Sequence, residues 1–105
     1  MNSQSDMKIS EQFLTTLGLA KRAGKLVIGW DRISEYKGDI RLIIVSCDAS
    51  ERTRKNAAGK AECVLTDIDM TLLGSALGIK RAALVAVTDS GFADLLIRKL
   101  GNGKQ

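Results

Sequence analysis

The sequence predicts an α/β domain, a three-layer α/β/α sandwich built on a four-stranded mixed sheet. Two observations carry that expectation. Apolar residues at helical spacing alternate along the chain with short aliphatic runs, and the order is one helix followed by four strand–helix units. Helical crossovers of this kind lie on both faces of a largely parallel or mixed sheet. At 105 residues the chain supports one domain with its own core. Residues 1–8 read as a flexible arm, 9–100 as a single domain, and 101–105 as a frayed tail.

Ser10 is the expected N-cap of the first helix, with Ile9 stapling against Leu14. Phe13, Leu14, Leu17 and Ala20 then share one face. Lys21 and Arg22 suit the negative end of that helix, and Gly24 stops it. Leu26 to Ile28 read as a short buried strand, and a second helix runs from Gly29 to about Lys37 with Ile33 and Tyr36 inward. Gly38-Asp39 break that helix, and Leu42 to Val45 form an unbroken apolar run, as a strand covered on both faces does.

Asp48 is the expected cap of a third helix, completed as a capping box by Glu51. Arg52, Arg54, Lys55 and Lys60 make that helix basic; a solvated face is favoured over a second RNA surface. Glu62 to Leu65 follow as a strand, with Thr66 or Asp67 capping the next helix. That helix carries Met70, Leu72, Leu73 and Ala76 and stops at Leu77-Gly78. After a loop at Ile79, Lys80 and Arg81, Ala82 to Thr88 read as the last strand. Asp89-Ser90-Gly91 turn the chain into a final helix lined by Phe92, Leu95, Leu96 and Leu100.

Composition narrows the chemistry. There is no histidine, which removes the usual general base, the histidine-based nucleophile pairs and histidine metal ligation. Cys47 and Cys63 stand sixteen positions apart without companions, so no metal site is expected; they read as buried, reduced thiols. Gly18 to Lys25 resembles a phosphate loop only superficially, since five residues separate Gly18 from Gly24 and Leu26 stands where Ser or Thr would bind magnesium. No enzyme activity and no cofactor are expected. No apolar run reaches membrane-spanning length and no export signal opens the chain, so a cytoplasmic protein without a membrane partner is expected. A formal charge of +4 favours an anionic partner without naming it.

The candidate binding corner lies between Gly24 and Glu35. Gly29 turns the backbone without a Cβ and leaves the next helix's first N–H groups open to phosphate-like groups. Trp30, the only tryptophan, sits on that corner among Lys21, Lys25 and Arg32. Partial burial is one reading of its indole; stacking on an unpaired base is the other.

Four segments carry a family likeness. Leu17-Gly18-Leu19-Ala20-Lys21-Arg22-Ala23-Gly24-Lys25-Leu26-Val27-Ile28-Gly29 resembles the opening of the bacterial YlxQ-like proteins, in the superfamily of the ribosomal proteins L-seven-Ae and L-thirty-e. Leu42-Ile43-Ile44-Val45 followed by Asp48-Ala49-Ser50 resembles the family's second strand and next helix. Leu73-Gly74-Ser75-Ala76-Leu77-Gly78 is similar to its Leu-Gly-x-Ala-x-Gly signature, and Ala86 to Ala93 to its closing segment.

The resemblance implies an L-thirty-e-like fold that binds kink-turns or related bent internal loops of RNA. It places RNA on Gly29, Trp30, Asp31, Arg32 and Glu35, and on Ile79, Lys80, Arg81 and Ala82. Strong kink-turn binders read Gly-Thr-Asn-Glu-x-x-Lys where this chain reads Gly29-Trp30-Asp31-Arg32-Ile33-Ser34-Glu35. Asn and Lys donate to guanine edges, and carboxylates cannot. The expectation is therefore a non-catalytic protein that binds structured RNA, with ribosomal RNA or the ribosome as the family's context and DNA not expected. The alternative is a protein-interaction module that kept the fold and lost kink-turn recognition.

Overall fold

The computed structural model describes the backbone of residues 2–101 and the side chains of residues 11–100. Its elements are α1 (Asn2–Arg22), β1 (Leu26–Ile28), α2 (Trp30–Glu35), β2 (Leu42–Val45), α3 (Glu51–Ala58), β3 (Cys63–Leu65), α4 (Met70–Ala76), β4 (Leu84–Val87) and α5 (Ser90–Gly101). The sheet order is β1-β4-β2-β3. β4 runs antiparallel to both its neighbours, and β2 and β3 are parallel, so the sheet is mixed as expected.

Side-chain alternation along the central strands sorts the core into two layers. Leu42, Ile44, Val85 and Val87 face one side, where they meet Phe13 and Leu17 of α1, Leu73 of α4 and Leu96 of α5. Ile43, Val45, Leu84 and Ala86 face the other side, against Ile33 of α2 and Ala57 of α3. Both central strands are buried throughout, which is why the unbroken apolar run at Leu42–Val45 carries no polar alternation.

Several local expectations change. α1 continues through Ser10, so Ser10 is not its N-cap; no proline or glycine precedes it to stop the helix. The proposed Ile9 staple and the tail from residue 102 lie outside the described side chains and residues. α2 ends at Glu35 because Tyr36 turns extended, and the Tyr36 ring folds over Gly38, where a Cβ would collide with it. Ser50, not Asp48, caps α3: its hydroxyl accepts from the Thr53 N–H at 3.1 Å. Asp69, not Thr66 or Asp67, caps α4 by accepting from the Leu72 N–H at 2.8 Å. Thr66 is turned inward instead, donating to the Val45 carbonyl and accepting from the Ile68 N–H. β3 and β4 are each shorter than the runs that predicted them. Cys47 is exposed rather than buried, because β2 has ended and the chain is already turning; Cys63 is half-buried, and both are free thiols. Leu72 faces solvent, leaving Leu73 and Gly74 as the inner positions of α4.

Candidate nucleic-acid interface

β1, β2 and β3 all finish at one end of the sheet, where β4 begins. Register places Ile28 opposite Val85, and Val45 opposite both Leu84 and Leu65. Gly29 lies at this end, its N–H donating to the Leu84 carbonyl at 3.3 Å. α2, α3 and α4 therefore all start here.

Those three starts differ. α3 is capped by the neutral Ser50. α4 is capped by Asp69, and its Met70 N–H donates to a second carboxylate, Asp48, at 3.0 Å. α2 is entered from Gly29 with no side-chain cap. Its first N–H groups have no partner within the helix and no side chain caps them, although the Asp31 carboxylate stands in the same first turn. Gly29 has φ +91°, and nothing lies within 4 Å of where its Cβ would be. An alanine there would thus suffer backbone strain alone, roughly 1 kcal/mol. With six residues α2 has a weak macrodipole, so what this corner offers is open N–H groups and room for close approach.

Trp30 is half-buried. It packs against the core layer that holds Ile33, Ile43 and Leu84, and the rest of the indole stays accessible. The partial burial read from the sequence is met, and part of the ring still presents surface. Asp31, Arg32 and Glu35 are all exposed.

The second part of the interface is the loop from Ile79 to Ala82. α4 carries the chain away from the Gly29 end, and this loop brings it back along the same helix. The Ile79 N–H donates to the Gly74 carbonyl and the Ala82 N–H to the Met70 carbonyl. The return path is close enough that a Cβ on Gly74 would overlap the Arg81 backbone. Gly78 makes the reversal, at φ +75°. Ile79, Lys80 and Arg81 are exposed and Ala82 is buried. Among the described residues no ion pair neutralises Arg32, Lys80 or Arg81.

Not every candidate gathers here. Lys25 precedes β1 at the opposite end of the sheet, where its carbonyl accepts from Thr88. The Lys21 ammonium donates to the Leu77 carbonyl at the end of α4, so it serves that helix terminus. Together with Gly18, Arg22 and Gly78, Lys21 borders a separate open cleft between α1 and α4. Three residues that the sequence reading did not single out shape the interface. Gly74 seats the returning loop, Ala83 packs against the same core layer as Trp30, and Ser46 donates its N–H to the Ala83 carbonyl while its own hydroxyl is buried without a partner among the described residues. Gly74 was legible as the glycine of the Leu-Gly-x-Ala-x-Gly segment; Ser46 and Ala83 gave no signal.

No family model matches the chain. A protein of Bacillus subtilis (strain 168) named RNA-binding protein YlxQ is 34% identical over 95 residues, covering 85% of this chain and 95% of that protein. A solved structure of a Bacillus halodurans protein of unknown function superposes with a TM-score of 0.74 at 28% identity, covering 84% of this chain and 95% of that one. The Giardia lamblia 15.5kD RNA binding protein superposes with a TM-score of 0.61 at 14% identity, covering 92% and 88%. That last likeness concerns the fold alone.

Proposed function

Since the chain belongs to the family of the RNA-binding protein YlxQ, we propose that it binds structured RNA at the Gly29 end of its sheet, without catalysis. The observation that carries this reading is the meeting of two segments distant in sequence. The uncapped start of α2, with Trp30 and Arg32, and the point where the loop carrying Lys80 and Arg81 enters β4 lie at the same sheet end. Open backbone N–H groups and unpaired cations suit phosphate, and an anchored indole with one accessible side suits an unstacked base. Lys21 and Lys25 stand apart from this surface and are left out of it.

The RNA class that fits is a bent internal loop of the kink-turn kind, in which an unstacked base and two backbone turns lie close together. Asp31 and Glu35 accept and do not donate, so base readout here rests on stacking and shape more than on guanine-edge hydrogen bonds. Ribosomal RNA in the cytoplasm is the proposed setting. Among the described residues no helix is long and apolar enough to cross a membrane.

Binding to a bent internal-loop RNA is expected at micromolar affinity or tighter and to weaken steeply with salt. Trp30→Ala should cost about 1–3 kcal/mol of binding. Arg81→Glu should weaken binding to every RNA tested. A filter-binding series in which neither change alters affinity would sink the proposed surface. A stable protein partner, with no RNA retained above background, would favour the interaction-module alternative that Asp31 and Glu35 suggest.

A further inference from the structure

Residues 51–60 carry four cations, Arg52, Arg54, Lys55 and Lys60, against the single carboxylate of Glu51. That is an excess of three positive charges within ten residues of a chain whose formal net charge is +4. All four cations are exposed. α3 faces the sheet with Thr53, Asn56 and Ala57, of which only Ala57 is buried, so its cationic side does nothing for the core. Lys55 has one exposed partner, Glu51 at 3.9 Å, a geometry that contributes little. Arg54 donates to the Cys47 carbonyl at 3.0 Å, which leaves its charge unneutralised. Among the described residues no ion pair involves Arg52, Arg54 or Lys60.

Position gives this charge a use. α2 lies over β1 and β4, while α3 lies over β2, the next strand along. Both helices cover the same sheet face and start at the same sheet end. Strands lie about 4.7–4.9 Å apart, so α3 over β2 stands only one to two strand spacings from α2 over β1 and β4. Around the start of α4 that sheet end carries the exposed carboxylates of Asp67 and Asp69, with Asp48, in the loop that leads into α3, bonded to the Met70 N–H. A polyanion seated on α2 is repelled there and attracted toward α3.

We infer that α3 is a second, sequence-independent RNA contact: Arg52, Arg54, Lys55 and Lys60 hold the phosphates of a helical stem that leaves the Gly29 corner across the α2–α3 face. The assignment rests on the RNA-binding reading of that corner and adds the direction in which the RNA extends. Contacts of this kind displace condensed counterions, so they register in the salt dependence of binding more than in sequence preference.

The test compares the full chain with an Arg52→Gln/Lys55→Gln/Lys60→Gln variant. A control of the same net charge, Arg41→Gln/Arg98→Gln/Lys99→Gln, removes cations from other parts of the molecule. Two bent internal-loop RNAs serve as probes, one with a stem of about 5 base pairs and one of about 15. With the long stem, the α3 variant is expected to lose roughly tenfold or more in affinity, and its slope of log affinity against log salt to fall by about 2–3. The short-stem RNA and the control should show neither change. An α3 variant that matches the control, or loses equally on both stems, overturns the inference. Trp30→Ala, run in parallel, separates the two claims. If it weakens both RNAs while the α3 variant changes nothing, the corner stands and the stem contact fails. If it changes neither RNA while the α3 variant weakens the long one, the corner reading fails.

Discussion

α2 and α4 both start at the Gly29 end of the sheet, and they meet solvent in opposite ways. α4 begins under two carboxylates, with Asp69 accepting from Leu72 and Asp48 from Met70. Its first N–H groups are spent inside the molecule, and its surroundings repel phosphate. α2 begins at Gly29 with no side-chain cap, beside a half-buried indole and the exposed Arg32. The difference between a closed terminus and an open one is thus written in caps rather than in the helices themselves.

That contrast can be broken from either side. The largest effect is expected from Gly74→Ala, which pushes a methyl group into the Arg81 backbone where the returning loop rests on α4. Overpacking of this kind costs about 1–3 kcal/mol, visible as a lower urea midpoint. RNA affinity should fall with it as Lys80 and Arg81 move. Unchanged stability and affinity would show that the loop is not held by this contact.

Next comes the double change Asp48→Ala with Asp69→Ala, which uncaps α4. Loss of the Asp69 cap costs about 0.5–2 kcal/mol and loss of the exposed Asp48 contact less, so thermal stability should drop, while RNA binding should hold or strengthen as repulsion is lifted. A loss of RNA affinity greater than the loss of stability explains would mean that α4's start, not α2's, touches the ligand.

The smallest effect sharpens the same picture through the two thiols. Cys47 is exposed in the β2–α3 connection at this sheet end, whereas burial raises the Cys63 thiol above its ordinary pKa. The thiolate is the reactive form. Cys47 should therefore react first with a soluble alkylating reagent at neutral pH, and bound RNA should slow it more than it slows Cys63. Reaction in the reverse order would contradict the burial of Cys63.

Much of the architecture was legible because each signal was local. The aliphatic run Leu42–Val45, the glycines at 24, 29 and 78, and the helical spacing of Phe13, Leu17 and Ala20 all point to their own elements. Caps were less legible. Several Ser, Thr and Asp residues cluster before α3 and α4, and any of them could cap. Which one does depends on where the preceding strand ends, and β2 and β3 stop where pairing stops, a long-range matter. Likewise Cys47 follows an apolar run, yet the turn after Val45 decides that it faces solvent.

The amino-acid order by itself determined the succession of helices and strands, the two-sided burial of β2, and the glycine-then-indole corner at Gly29 and Trp30. Each follows from periodicity or backbone freedom within a few residues. Only the tertiary structure decided that the Lys80–Arg81 loop shares an end with that corner and that Lys25 does not. The cause is the reversal at Gly78 and the bare backbone of Gly74, which let the chain retrace α4 and send β4 antiparallel between β1 and β2. Cations close in sequence are thereby parted across the length of a strand, and segments some fifty residues apart are joined, because sheet pairing sets distance in the folded chain.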